Sequence, residues 1–481
     1  MNYYIGIDLG TSSCKGILAD RSGKVIKESG VSYPVLTPHE GWTEQDPGEW
    51  LSAAKKIIKD LSAGIENEIR GLSVAGQMHG LVTLDKDDRV IRPCILWNDG
   101  RCERQTVYLN EVIGKERLSE LTGNIAFAGF TAPKILWMNE EEPDNFAKIA
   151  KIMLPKDYLA YMLTGVHSTD YSDASGMLLV DVKNKCWSDE MLDICRVKRE
   201  WLPKLYESYE VTGKVKPEFG LPNCIVTAGA GDNAAAAVGT GTVKNGSCNV
   251  SLGTSGTIFI SQDTFSVDEK NALHSFAHAN GKWHLMGCIL TAASARKWWL
   301  KDILGNGDYA DKKEPTDEDA SDVIFLPYLS GERSPHNDVR ARGAFIGLSA
   351  STTRAEMSRA VMEGVAFALK DCLEVAKSNG VTPARTNLCG GGAKNRVWRQ
   401  IVADVLGIPV DILQTEQGPS LGGAVLAMVG AGEYASVEDA AGAIAKVAET
   451  VEPDPARYAY YEKKYEIFRR LYPAIKGAVQ G

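Results

Sequence analysis

Two aspartates in this 481-residue chain stand beside glycine-rich turns. Asp8 follows the apolar stretch Ile5-Gly6-Ile7 and precedes Gly10-Thr11-Ser12. Backbone N–H groups at such a turn can approach phosphate oxygens closely, because no Cβ intervenes. A carboxylate beside them can hold the water shell of Mg²⁺. Asp232 lies in Gly229-Ala230-Gly231-Asp232-Asn233, and an alanine-rich helix starts at once after it. Capping that helix accounts for an aspartate but not for the bare glycines before it. A general base that its substrate approaches closely accounts for both. Positioning, a metal and a base that accepts the proton of an attacking hydroxyl are what phosphoryl transfer requires.

Two further glycine loops extend this reading. Leu9-Gly10-Thr11-Ser12 reappears 243 residues later as Leu252-Gly253-Thr254-Ser255, and Gly390-Gly391-Gly392 follows Leu388-Cys389. None of the loops has the spacing of a P-loop or of a dinucleotide-binding turn, so P-loop enzymes and Rossmann dehydrogenases are disfavoured. Gln77-Met78-His79-Gly80 and Trp97-Asn98-Asp99-Gly100-Arg101 mix polar groups with large side chains. Amides, carboxylates and imidazole bind hydroxyls while an aromatic face covers C–H groups, which suits a sugar.

The elements that must position these residues read as α/β. Tyr3 to Leu9 and Cys14 to Ala19 form a hairpin around Gly10-Thr11-Ser12, and Val250 to Ile260 repeats the pattern. A repeat of half the chain length means two duplicated units facing a cleft rather than a solenoid. Ser251 stands where Asp8 does, so the halves share a fold and differ in role. Asp46-Pro47-Gly48-Glu49 starts a helix with Trp50, Ala54, Ile57 and Leu61 on its apolar face. Thr353 caps a long helix, and another runs from about Arg396 to Leu406. Small residues at Gly239-Thr240-Gly241-Thr242 suit a hinge between domains at 1–243 and 244–481.

Bulk properties set outer bounds. A formal charge of −9 without a long basic run speaks against nucleic acid as partner. The 10 cysteines show no paired spacing for structural zinc, and no apolar run approaches the ~20 residues of a membrane span. Free thiols and no evident export signal lead to the expectation of a cytoplasmic protein.

On these residues the chain resembles the FGGY carbohydrate kinases. The motifs that carry the resemblance include Gly6 to Ser12, Ala75 to Gly80, Ile95 to Cys102, Gly129 to Lys134, Leu154 to Leu159, Gly231 to Ala235, Ser251 to Gly256 and Phe325 to Arg333. They span Tyr4 to about Arg470. The tetrapeptide that names the family is absent, and Ser334 stands where Thr is commoner. The resemblance implies an actin-like ATPase (ribonuclease-H-like) fold with two domains around a central cleft. It implies ATP-dependent phosphorylation of the ketopentose D-xylulose, with Asp232 as base for the 5-hydroxyl and Asp8 orienting Mg²⁺, which both aspartates would hold. Gln77, Met78, His79, Trp97, Asp99, Arg101 and Asn233 would bind sugar. Gly10, Thr11, Ser12, Lys15, Gly253 and Thr254 would lie near the ATP phosphates, and Gly391, Gly392 and Asn395 near adenosine. ATP would bind mostly to the second domain and sugar to the first, and a homodimer is allowed for.

Overall fold

The computed structural model describes residues 1–268, 270–305, 315–415 and 417–479. The first hairpin is β1 (Tyr3–Leu9) and β2 (Ser13–Asp20), joined by the turn at Gly10-Thr11-Ser12 and followed by β3 (Val25–Ser32). Helix α1 (Pro47–Ser62) begins where the sequence reading puts it, with the Asp46 carboxylate accepting the Gly48 N–H at 2.9 Å. Its Trp50, Ala54, Ile57 and Leu61 are fully or almost fully buried, and each large apolar side chain so buried contributes about 1.5–3 kcal/mol. β4 (Ile69–Gly76) lies parallel to β1, and β5 (Val211–Lys214), β6 (Ile225–Thr227) and β7 (Ala230–Gly231) complete a seven-stranded sheet. Its order is β5-β6-β4-β1-β2-β3, with β7 also paired to β4. Helix α2 (Asp232–Gly239) leaves β7 directly.

The second half repeats this plan. β8 (Cys248–Leu252), β9 (Gly256–Gln262), β10 (His274–Ala277) and β11 (Trp283–Ile289) precede the long helix α3 (Arg354–Ser378). β12 (Thr386–Cys389), α4 (Arg396–Leu406), β13 (Val410–Leu413), α5 (Gly418–Gly430) and β14 (Val447–Val451) follow. The second sheet has the order β10-β11-β9-β8-β12-β13-β14. In both sheets a hairpin strand pairs antiparallel on one side and a later strand pairs parallel on the other: β1 with β2 and β4, β8 with β9 and β12. The duplication read from Leu-Gly-Thr-Ser is therefore a duplication of topology. The two hairpins differ in register, since Leu9 pairs Cys14 whereas Leu252 pairs Gly256.

The cut at 243/244 falls between α2 and β8, yet packing crosses it. Helix α5 belongs to the second half in sequence but lies on the first sheet, where Leu421, Ala424 and Val425 share a core with Tyr4, Ile17 and Ala75. Small residues permit this approach. A Cβ on Gly6 would stand 1.8 Å from the Ser420 carbonyl oxygen, and one on Gly422 would stand 1.8 Å from that of Ala235. Gly6→Ala is expected to destabilise the protein by about 1–3 kcal/mol through overpacking. Urea unfolding checks this, and an unchanged midpoint would mean that α5 does not bear on β1 so closely.

The connection at Thr240 to Thr242 is tied down. Asn387 Nδ2 donates to the Thr240 carbonyl at 2.7 Å, and His278 Nε2 meets the Thr242 carbonyl at 2.9 Å. Among the described residues no helix is long and apolar enough to cross a membrane.

Candidate active site

β4 lies between β1 and β7, all three parallel, with Asp8 and Ala230 in register with Ala75, and Leu9 and Gly231 with Gly76. Asp8, Gln77 and Asp232 therefore emerge at the same, carboxyl end of the sheet, where ligands bind in open α/β sheets. Asp232 is the first residue of α2 and does not cap it; Gly231 holds the capping position. One Asp232 oxygen accepts the Asn233 N–H at 2.7 Å and the Asn233 side-chain amide at 2.9 Å. Burial pushes Asp232 up to about 6 despite that backbone N–H. Asp8 rises to about 7, first through burial and then through the Asp232 charge, with Lys15 opposing. Lys15 stands directly across the hairpin from Asp8. The glycines before Asp232 have causes other than substrate approach. Gly229 has φ 79°, and a Cβ there would meet the Val74 carbonyl oxygen at 2.0 Å; one on Gly231 would stand 3.0 Å from Met78 Cγ and Sδ.

Met78 and His79 follow β4 on this side. His79 takes a left-handed backbone (φ 70°) that a non-glycine residue adopts only when held. Its carbonyl accepts from Lys134 Nζ at 2.8 Å and Thr131 Oγ1 at 3.1 Å. Its ring stacks on Phe130 at 4.5 Å, and Nδ1 lies 2.8 Å from the Gly176 carbonyl. Burial pushes His79 down to about 3, so the ring is neutral. A carbonyl can only accept, so Nδ1 carries the proton and Nε2 is left as an acceptor.

Gln77 accepts from the Thr11 hydroxyl at 3.1 Å and donates to Gln45 at 2.9 Å. Trp97 is 37% exposed and donates its indole N–H to Thr11 Oγ1 at 3.0 Å. Thr11 thus joins the hairpin turn to the residues read as a sugar site, while Ser12 is exposed. Asp99 and Arg101 are spent on structure. The Arg101 guanidinium pairs with Asp99 at 2.7 Å and Glu44 at 2.7 Å and lies 3.8 Å over the Trp42 ring, and Asp99 also accepts the Thr43 N–H at 2.6 Å. With both side chains buried, they orient the Trp97-Asn98 turn rather than present free groups.

On its other side Asp232 lines a cavity of about 290 Å³. Asn233, Asn249, Ser251, Thr257, Gly390 and Gly418 are among its walls. The second and third glycine loops meet here, since a Cβ on Gly390 would stand 3.0 Å from the Gly253 nitrogen. Of the triple glycine, Gly390 forms the wall, Gly391 is exposed, and Gly392 packs against Leu252 and Trp398. Asn395 caps α4 by accepting the Trp398 N–H at 2.9 Å. Thr254 is exposed, and its carbonyl accepts the Ala292 N–H at 3.0 Å.

Sequence reasoning passed over several residues. Gln45, Ser172 and Gly176 carry no local signal. A Cβ on Gly176 would come within 2.4 Å of the His79 ring. Lys134, Lys156 and Arg333 stand in stretches that carry the family resemblance, and a buried lysine in such a stretch is a legible signal. Burial pushes Lys134 down to about 8. Arg333 lies 5.3 Å over the Phe127 ring, close enough to His79 to disfavour a charge there, and its guanidinium has no acceptor among the described residues.

Two duplicated lobes with a carboxylate pair between them and a glycine-walled cavity alongside are the frame of an actin-like sugar kinase. The N-terminal domain of the FGGY family of carbohydrate kinases matches residues 3–239, and its C-terminal domain matches residues 248–431. The chain belongs to this family and is a carbohydrate kinase with the actin-like, ribonuclease-H-like fold. It is similar to the xylulose kinase of Escherichia coli K12, at 42% identity over 482 residues, covering 98% of this chain and 99% of that protein. A solved xyloylose kinase from Brucella ovis is 38% identical with a TM-score of 0.92, covering 99% of this chain and all of that one (100%). A gluconate kinase from Lactobacillus acidophilus has a TM-score of 0.93 at 28% identity, covering 98% of each chain.

Proposed function

We propose that this carbohydrate kinase transfers the terminal phosphoryl group of ATP to the 5-hydroxyl of D-xylulose in the cytoplasm, with Asp232 as general base. One observation carries the reading: Asp232 stands between the Met78–His79 side of the cleft and the cavity that runs to Gly390 and Gly418. A sugar hydroxyl and a phosphate can both reach it there. Xylulose is the substrate for which the similar E. coli enzyme is named.

The chemistry follows from the groups. A carboxylate raised to about 6 is a stronger base than an ordinary aspartate and is still ionised at neutral pH. The neutral His79 offers Nε2 to a sugar hydroxyl, and the exposed indole of Trp97 covers C–H groups. Lys15 and the N–H groups of the turns at Gly10 and Gly253 offset charge on the phosphates. Asp8 and Asp232 suit Mg²⁺: burial first, and then the Asp232 charge, raises Asp8 to about 7, and a hard cation would favour the ionised form of both carboxylates. Among the described residues no cluster of three or more His, Cys, Asp or Glu could hold a metal by itself; the other ligands of such an ion would be phosphates and water. When bound, it neutralises phosphate charge. Asp8→Asn is expected to raise the Mg²⁺ concentration for half-maximal turnover by about tenfold or more; an unchanged requirement removes Asp8 from the metal.

The decisive experiment is ADP release with Mg-ATP against D-xylulose, L-xylulose, D- and L-ribulose, glycerol and gluconate. Preference for D-xylulose is expected. One observation favours a second reading, an aldonate: the Arg333 guanidinium near His79 could accept a carboxylate. Preference for gluconate in the same panel would replace the sugar while keeping Asp232.

A further inference from the structure

Against the segment that ends in Asp232 lies a buried polar cluster that the proposed reaction does not use. Lys156, Asp157, Asp170, Ser172, Asp173 and Ser208 are each at most 1% exposed. Lys156 Nζ sits 2.9 Å from Asp170 Oδ1 and 2.6 Å from Asp157 Oδ1. Asp170 Oδ2 accepts from Ser172 Oγ at 2.5 Å, from the Ser172 N–H at 2.8 Å and from Ser208 Oγ at 2.7 Å. Two bonds then leave the cluster for the segment that ends in Asp232. The Gly231 N–H donates to Ser172 Oγ at 3.2 Å, and Lys156 Nζ donates to the Ala228 carbonyl at 3.3 Å.

The backbone of this segment is otherwise held by the Ala228 and Gly229 N–H groups, which donate to the Glu210 and Ser208 carbonyls at 3.0 Å each, and by the pairing of β7 with β4. Gly229 and Gly231 have no side chains, and Ala228 and Ala230 have one carbon each. No side chain of this stretch can anchor it, so the Gly231 N–H, whose partner is the Ser172 hydroxyl, is the last tie before Asp232. A catalytic group must be held within about 0.5 Å of its productive place, and Asp232 follows Gly231 immediately. Ser172 is the link. Its hydroxyl hydrogen is committed to Asp170, so its lone pair is turned to the Gly231 N–H. Asp170 is in turn anchored by the Lys156 charge.

We propose that Lys156, Asp170 and Ser172 form a positioning relay that fixes the backbone at Ala228 and Gly231 and so aims the Asp232 carboxylate at the substrate hydroxyl. The inference rests on Asp232 as the base. Ser172 does not touch substrate; it acts through Gly231. Misplacing a base by a fraction of an ångström slows the chemical step more than it weakens binding.

The test compares Ser172→Ala with Ser208→Ala in the full-length enzyme. Both remove one hydroxyl from the same carboxylate, but only Ser172 bonds the Gly231 N–H through its side chain. Ser172→Ala is expected to lower kcat about tenfold or more, with KM for sugar and for ATP within about twofold of the parent. Ser208→Ala should lower the melting temperature by a similar amount and leave kcat per folded molecule near the parent value. Ser172→Cys, close in size and a weaker acceptor, should recover part of the lost kcat, and it serves as the test if the alanine variant fails to fold. Equal kcat in the Ser172 and Ser208 variants, or loss through KM alone, overturns the relay. Asp232→Asn run alongside separates the two readings: if it retains turnover the base assignment fails, whereas its loss together with an unaffected Ser172→Ala fails only the relay.

Discussion

Asp232→Asn is expected to lower kcat by a factor of about 10² to 10⁴, the usual contribution of a positioned general base, with KM for sugar and ATP changed little. Asparagine keeps the size and can still accept the Asn233 N–H that Asp232 now accepts at 2.7 Å, so α2 should start unaltered. What it lacks is a lone pair basic enough to take a proton. Stability separates lost chemistry from lost fold. The folded pKa of Asp232, about 6, lies above the ordinary aspartate value because burial disfavours the charge. The ionised side chain therefore costs stability increasingly as pH rises between those values, and the cost is constant above the folded value. At pH 8 the uncharged asparagine should melt at the same temperature as the parent or higher. The same carboxylate gives the parent enzyme an acid limb: kcat/KM falls as pH drops through about 6, because only the ionised form accepts the hydroxyl proton. Near-parental turnover in the variant would overturn the base.

The parts of this site that the sequence makes legible are local. The turn at Gly10, the Asp46 cap and the Thr353 cap depend on residues within four positions of one another, and each stands as read. The repeat of Leu-Gly-Thr-Ser is a long-range signal but an explicit one, and two sheets of matching topology bear it out. Reasons that depend on distant contacts are not legible. The glycines at 229 and 231 read as room for substrate, whereas Val74 and Met78 fill the space beside them. Asp99 and Arg101 read as ligands because they are polar groups beside a large aromatic side chain in a motif that carries the family resemblance; their pairing with each other and with Glu44 appears only once Glu44 is brought alongside. The placement of α5 on the opposite half's sheet is likewise invisible in a helix whose glycines at 422 and 423 look like a weakness.

Lys156→Met should cost about 3–5 kcal/mol of stability, the penalty for leaving buried charges without their partner. Burial by itself would push the Lys156 ammonium down; Asp157, Asp170 and Asp173 outweigh it and hold the pKa above the usual lysine range. The methionine would fill the volume but leave three carboxyls at most 1% exposed with no cation between them. Burial already raises Asp157 and Asp173 even with the lysine present. In the variant they rise further, and an acid with a raised folded pKa costs stability progressively as pH increases. The deficit should therefore be larger at pH 8 than at pH 5, a slope that loss of packing alone would not produce. Asp173 is the member to remove in compensation. It lies 3.9 Å from Lys156, and neither of its oxygens has a hydrogen-bond partner among the described residues. Asp173→Asn on the Lys156→Met background should regain part of the loss, mostly at high pH. Urea midpoints at the two pH values decide the matter. A deficit equal at both would show that the aspartates take up protons without cost, and the lysine would then be filling space rather than balancing charge.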